Sequence, residues 1–152
     1  MNERIKDKIE EIEKYISELL EIKPDNLESY INDFKSKAAC ERYAEVIVEA
    51  VIDLAFLSIK EKKLPSPEND LEAFDTLAKN NIISAELADR LKDAKRMRNI
   101  LAHEYGKVDD EIVFNAIKNE LEGDAKDFIK SIKASIKEND YTKRAATVRD
   151  NK

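Results

Sequence analysis

The chain has 152 residues, and its formal net charge is −6 although 39% of the residues are charged. This acidic balance argues against a general nucleic-acid coat protein, which normally carries a basic surface, but it leaves room for a small local RNA site. Only two glycines and three prolines occur, and the abundance of Glu, Lys, Leu, Ile and Ala predicts a single all-α domain.

The first half of the chain predicts two long helices. Isoleucine and leucine recur at helical spacing over Asn2–Ile22, and Pro24 ends that helix. A second helix is expected over Leu27–Lys62, with a bend near Lys37. Its middle, VIVEAVIDLAFLSI, is apolar nearly all round, which is typical of a helix at the centre of a bundle or under a subunit interface.

Two carboxylates, Glu49 and Asp53, lie one turn apart in this apolar helix. They favour a core helix over a membrane span, and they need polar partners of their own. The two carboxylates alone do not predict a metal site, because nothing in the sequence supplies the remaining ligands. We therefore expect no metal and no cofactor.

The second half of the chain predicts a short helix and two longer ones. Pro65 and Pro67 mark a loop before them. The expected ranges are 69–79, 84–104 and 109–137, with Gly106 as the stop for the middle one. Residues 138–152 contain few apolar side chains, so we predict a helical domain over 1–137 followed by a loose tail over 138–152.

The compartment follows from the N-terminus and the single cysteine. The opening MNERIKDKIEEIEKYI has no apolar signal-peptide core. Cys40 is the only cysteine, so it has no partner for an internal disulfide. Both features predict a cytoplasmic protein without contact with a membrane.

The stretch RNILAHEY, residues 98–105, contains the only histidine of the chain. The imidazole of His103 can move protons near neutral pH. The guanidinium of Arg98 can bind a phosphate through two parallel hydrogen bonds and keeps its charge. The phenol of Tyr105 offers a hydroxyl that can be bound or modified. Together these groups suit chemistry on a phosphodiester.

The helical projection places Arg98 on an otherwise apolar face of its helix. A charge there needs a carboxylate partner, for which Glu49 and Asp53 are candidates, or a polar cleft. His103 points about 140° away from Arg98 on a regular helix. Convergence on one phosphate therefore requires the helix to unwind before Gly106, or a second subunit to complete the site.

A second stripe of this helix, consisting of Lys92, Arg96, Asn99 and His103, is suited to guiding a phosphodiester backbone towards the imidazole. Each of these features also has an ordinary structural explanation that involves no catalysis. A charge run is typical of a solvated helix face. A lone histidine near a helix end is typical of a residue stabilised by the helix dipole, and a tyrosine at this spacing is typical of ordinary packing.

The Arg-x4-His pattern in an all-α chain of this size resembles the HEPN superfamily. The string RNILAHEYGKVDD resembles its HepT toxin branch, whose motif reads Arg-Asn-x3-His-x-Tyr. The stretch ERYAEVIVEAVIDLA, which begins at Glu41, is similar to the second-helix core of the family. The stretch from Leu71 to the motif follows the later course of the family, and the resemblance covers residues 1–136.

The predicted helices indicate an up-and-down bundle of about five helices, one of them short, that forms a two-fold dimer. The resemblance likewise implies a homodimer, with the motif near the subunit interface. It implies a metal-independent endoribonuclease in which Arg98 and His103 are catalytic. Tyr105 would be the tyrosine that the cognate antitoxin, a small MntA-type nucleotidyltransferase, adenylylates to silence the toxin. The partners would thus be RNA, the antitoxin and a second copy of the chain.

Two other classes of function also fit the residues. The chain can be a non-catalytic helical partner that binds a nucleotidyltransferase or presents its nucleotide, or it can be a purely structural interaction bundle. The coincidence of Arg98, His103 and Tyr105 favours the ribonuclease over the structural bundle. It separates the ribonuclease from the substrate-presenting partner less sharply, because such a partner can use the same three groups.

Overall fold

The computed structural model describes the backbone of residues 1–150 and the side chains of residues 1–104 and 106–137. The described backbone forms seven α-helices and one short 3-10 turn, and it contains no strand. The helices are α1 Glu3–Ile22, α2 Leu27–Asn32, α3 Phe34–Glu61, α4 Asp70–Lys79, α5 Ala85–His103, α6 Asp110–Asn119 and α7 Leu121–Asp150, and the 3-10 turn is Tyr105–Lys107. The all-α prediction is confirmed. The predicted number of helices, about five, was too low.

Helix α3 lies at the centre of the bundle and contacts each of the other six helices. Most of its residues between Cys40 and Ile59 are buried, as the apolar middle of this segment predicts. Helix α1 packs along it through Ile5, Ile9 and Ile12, which are also buried. No helix of the described chain is both long and apolar enough to cross a membrane.

The second predicted helix is divided at Asp33 into α2 and α3, instead of bending at Lys37. The backbone of Asp33 is extended, and its carboxylate accepts hydrogen bonds from the N–H groups of Lys35 and Ser36. These bonds satisfy amides that the first turn of a new helix leaves without partners. The side-chain hydrogen bond from Ser36 lowers the pKa of Asp33, so the cap is ionised at neutral pH.

The fifth predicted helix is also divided, at Glu120, into α6 and α7. Helix α6 packs against α2, where the rings of Phe114 and Tyr30 lie 5.1 Å apart. Helix α7 instead packs against α3 and α5, and the ring of its Phe128 lies 6.1 Å from the ring of Phe74 on α4. The two halves place their aromatic side chains against different helices, so one straight helix could not make both contacts.

Helix α7 continues to Asp150, beyond the predicted end at Lys137. The side chains from Glu138 onwards lie outside the described residues. The division of the chain into a domain over 1–137 and a loose tail over 138–152 stays a prediction.

Candidate active site

Helix α5 carries the motif, and its position follows from the local sequence. The hydroxyl of Ser84 caps it by accepting a hydrogen bond from the N–H of Leu87 at 3.0 Å. Leu87, Leu91 and Leu101 are buried, which fixes the rotation of the helix about its axis. The observed range, Ala85–His103, agrees with the predicted 84–104.

Arg98 is held by a carboxylate of the central helix α3. Its Nε donates to Oε1 of Glu49 at 3.2 Å, and its Nη2 donates to the same oxygen. Its Nη1 donates to Oδ1 of Asn99 at 3.5 Å. The side chain of Arg98 is 19% exposed and that of Glu49 is 38% exposed. The predicted ion pair with Glu49 is therefore confirmed, and it lies at the rim of the α3–α5 contact, within reach of a ligand.

Asp53, the other candidate partner of Arg98, was the wrong choice. Its carboxylate lies 3.4 Å from the Nζ of Lys8 on α1, and its side chain is 60% exposed. Four residues along a helix amount to one turn and a rotation of about 40°. That step carries Asp53 from the α5 side of α3 towards the α1 side, and its short side chain does not reach back.

His103 is the last residue of α5, and it is exposed. Because the helix is regular up to His103, its imidazole and the guanidinium of Arg98 leave the axis about 140° apart. Unwinding begins only after His103, at Glu104, so it does not bring the two side chains together. Of the two routes to convergence, only completion by a second subunit remains, and the two-fold dimer stays a prediction.

The chain turns sharply directly after His103. The N–H of Glu104 still bonds to the carbonyl of Ile100 at 2.9 Å, and the 3-10 turn Tyr105–Lys107 follows. Gly106 lies inside this turn without a positive φ, so it is not the left-handed helix stop that the sequence suggested. The side chain of Tyr105, the expected AMP acceptor, lies outside the described residues.

Helix α5 carries a basic cluster formed by Arg90, Lys92, Lys95 and Arg96, and carboxylates largely neutralise it. Lys92 lies 2.8 Å from Asp75 of α4 and 3.4 Å from Asp89, and the hydrogen bond to Asp75 raises the pKa of Lys92. Arg96 lies 2.8 Å from Asp93 on its own helix. The predicted RNA-guiding stripe is thus far less positive than the bare count of cations indicates.

The other two cations of the cluster bind carboxylates on neighbouring helices. Lys95 lies 3.0 Å from Asp70 of α4, and Arg90 lies 2.9 Å from Asp124 of α7. Sequence reasoning missed these partners because the sequence does not say which helices are neighbours. The partners within α5 could be predicted from the sequence, since Asp89 and Asp93 each precede their cation by three residues.

The remaining chemistry-bearing groups do not form a metal site in the part of the chain that the structure describes. No group of three or more His, Cys, Asp and Glu side chains there is placed to hold a metal ion. Cys40 is buried, and burial raises its pKa to about 11, so the thiol stays protonated and is a poor nucleophile at neutral pH.

The comparisons with known proteins identify the family. A family model described as "Ribonuclease HepT-like" matches residues 5–134, a range that includes the whole motif. This chain belongs to the HepT-like ribonuclease family. The predicted family and the endoribonuclease class are thereby confirmed.

Two curated relatives carry nuclease names. A protein named "mRNA nuclease HepT" from Shewanella oneidensis is 31% identical over 134 residues, which are 88% of this chain and 99% of the relative. A protein named "tRNA nuclease HepT" from Aphanizomenon flos-aquae is 30% identical over 118 residues, which are 78% of this chain and 80% of the relative. The similarity to the Shewanella protein thus covers nearly the whole of that protein.

Solved structures show the same fold. The tri-AMPylated HEPN toxin of Shewanella oneidensis, solved in complex with its MNT antitoxin, has a TM-score of 0.82 at 31% identity, over 88% of this chain and 99% of that one. A toxin–antitoxin structure with AMP-PNP has a TM-score of 0.80 at 29% identity, over 87% of this chain and 99% of that one. The HEPN-like fold is confirmed.

Proposed function

We propose that this chain is the toxin ribonuclease of a toxin–antitoxin pair, that it cuts RNA with Arg98 and His103, and that adenylylation of Tyr105 silences it. The observation that carries the proposal is the Arg98 guanidinium, which Glu49 holds at the rim of the bundle in a chain of the HepT-like ribonuclease family. A cation held at a rim, with an imidazole at the end of the same helix, suits phosphodiester cleavage.

The proposed chemistry needs only groups of this chain and of the RNA. The imidazole of His103 takes the proton of a ribose 2′-hydroxyl, or gives a proton to the departing 5′-oxygen. The 2′-oxygen forms a bond to phosphorus as the bond to the 5′-oxygen breaks, which leaves a 2′,3′-cyclic phosphate. Arg98 binds the phosphate oxygens and stabilises their charge as it develops.

Glu49 acts in this proposal as a positioning residue. It uses one oxygen for both Nε and Nη2 of Arg98, so one N–H of Nη1 and the second N–H of Nη2 are left to face a phosphate. Asn99 holds Nη1 from the other side through a long hydrogen bond of 3.5 Å, which a phosphate oxygen can replace. The guanidinium is thus oriented before the substrate binds.

The proposed partners follow from the relatives. The Shewanella toxin was solved with an MNT antitoxin and carries three AMP groups, so we assign an MntA-type nucleotidyltransferase as partner and Tyr105 as the AMP acceptor. Each AMP adds a negative phosphate near the cations of the motif and opposes the binding of RNA. The substrate class is RNA, and the unpaired Cys40 fits a cytoplasmic site of action.

Cleavage of RNA by the purified protein tests the proposal. The protein is incubated with a transfer RNA and with a messenger RNA in excess EDTA, and the ends of the fragments are analysed. Cleavage that leaves 2′,3′-cyclic phosphates and persists in the chelator supports the proposal. A protein that cuts neither RNA contradicts the proposal and favours the non-catalytic partner of a nucleotidyltransferase. Cleavage that requires a divalent cation contradicts the proposed chemistry of Arg98 and His103.

A further inference from the structure

A groove of about 630 Å³ runs between α5, α6 and the first turn of α7. Its α5 wall is formed by Arg90, Asp93, Ala94 and Met97. That wall is centred roughly 90° around the helix from Arg98, and Ala94 is the nearest of the four at about 40°. Its floor is apolar and contains Ala94, Met97 and Ala116. At its edge stands Ile112, whose side chain is 64% exposed and therefore leaves a large apolar surface in water.

The rim of this groove is acidic. It carries four carboxylates, from Asp93, Glu111, Glu120 and Asp124, against the single guanidinium of Arg90. Asp93 and Asp124 lie within 3 Å of arginines, at 2.8 and 2.9 Å. In the described part of the chain, Glu111 and Glu120 have no cation within ion-pair distance. An apolar floor with this rim is complementary to a segment that carries both apolar and basic side chains.

We propose that this groove is the docking surface for a lysine- or arginine-bearing segment of the nucleotidyltransferase partner. The inference rests on the proposed function, which supplies the partner. An RNA backbone does not fit, because the rim carboxylates repel phosphates. A second copy seated by a two-fold axis does not fit either, because the acidic rim would then face itself.

The position of the groove suits a partner that modifies the motif. Met97 precedes His103 by six residues, which is about 9 Å along the helix axis. The turn that begins at Tyr105 follows directly, and it leads into α6, the other wall of the groove. A partner seated at the Met97–Ile112 end therefore lies beside the segment that is proposed to accept AMP.

The substitution Ile112→Lys tests the inference, because it removes the apolar edge and adds a charge that repels a basic segment. Ile31→Lys is the matched control, since Ile31 is also an exposed isoleucine, at 47%, but lies on α2 away from the groove. The purified cognate nucleotidyltransferase is titrated against each variant. We expect Ile112→Lys to weaken binding roughly tenfold or more and to slow AMP transfer at low partner concentration, with Ile31→Lys unchanged.

The charge complementarity has its own test. Glu111→Lys reverses a rim charge in the first turn of α6, and Glu28→Lys makes the same change in the first turn of α2. The affinity of the wild-type protein for the nucleotidyltransferase should fall as the salt concentration rises. It should depend less steeply on salt in Glu111→Lys, while Glu28→Lys keeps the wild-type slope.

The outcomes separate this inference from the proposed function. Wild-type binding by Ile112→Lys and by Glu111→Lys overturns the groove and leaves the toxin–antitoxin proposal intact. A wild-type protein that cleaves RNA but binds no nucleotidyltransferase contradicts the assignment of that enzyme as the partner, and the inference fails with it. If Ile112→Lys changes the oligomeric mass in light scattering, the groove is an interface between copies of this chain, and the inference is wrong.

Discussion

The guanidinium of Arg98 on α5 donates two hydrogen bonds to a single oxygen, Oε1 of Glu49 on α3. The two residues are 49 positions apart in the sequence, so only the packing of α5 against α3 brings them together. The pair is only partly buried, with exposed fractions of 19% and 38%. Its contribution to stability is therefore about 1 kcal/mol, well below that of a fully buried pair. Its larger effect is to orient Arg98.

Glu49→Gln should consequently reduce cleavage far more than it reduces stability. The neutral amide holds the guanidinium less firmly, and misplacement of a catalytic group costs roughly 10–100-fold in rate. Single-turnover cleavage and thermal unfolding are measured together. Glu45→Gln is the control, because Glu45 lies one turn earlier on α3 and pairs with Arg42 instead. Equal rates for the two variants would remove Glu49 from the mechanism.

Arg98→Lys should be strongly impaired even though it keeps the positive charge. An ammonium group is a point donor and cannot hold Glu49 and a phosphate at once with the planar geometry of a guanidinium. We expect a loss of roughly 10²–10³-fold in kcat, with RNA affinity reduced much less. A lysine variant that cleaves at the wild-type rate would show that only the charge at this position matters.

His103→Ala should abolish cleavage and leave the fold unchanged. The residue is exposed and ends its helix, so its removal disturbs no packing. The loss of its proton transfer should cost roughly 10²–10⁴-fold in rate. Glu104→Ala is the control, since Glu104 is the next residue and is also exposed. Residual cleavage at the wild-type rate would mean that a group outside the motif moves the proton.

Arg98 and His103, the two proposed catalytic residues, should act across subunits. Phe56 lies about 20° from Glu49 around α3 and is partly exposed, which suits an interface beside the Glu49–Arg98 pair. Light scattering should report a dimer, with more than about 1,000 Å² buried. A monomer at micromolar concentration contradicts this prediction.

A mixing experiment distinguishes a shared site from two separate ones. Arg98→Ala and His103→Ala should each be inactive alone. When the two are unfolded and refolded together, half of the dimers contain one of each, and one of their two sites is intact if subunits share sites. Activity should then recover to about a quarter of the wild-type value. No recovery would place Arg98 and His103 of each site in one chain.

Tyr105→Phe should resist silencing while it keeps at least part of the ribonuclease activity. The phenol oxygen is the proposed AMP acceptor, and a phenylalanine has no such oxygen. Intact-mass analysis after incubation with the cognate nucleotidyltransferase and ATP should show gains of one or more AMP masses in the wild type and none in the variant. An AMP-sized gain that persists in Tyr105→Phe would place the modification on another residue.

Local signals in the sequence determined most of the helix ends and the face that Arg98 occupies. Ser84 begins α5, and Pro24 excludes a continuation of α1, because capping and ring geometry act within a few residues. The division at Asp33 had the same kind of signal, an aspartate that accepts from the amides two and three residues later. The Arg-x4-His spacing likewise depends on sequence alone, and the family match confirms the class that it predicted.

Only the tertiary structure decided which charges meet. Glu49 and Asp53 are equal candidates for Arg98 in the sequence, and a rotation of about 40° between them assigns one to α5 and the other to α1. The same holds for Lys92, whose charge is neutralised by Asp75 of a neighbouring helix. Periodicity specifies which side of a helix a residue occupies, but its partner depends on how neighbouring helices pack, and that packing is set by the core as a whole.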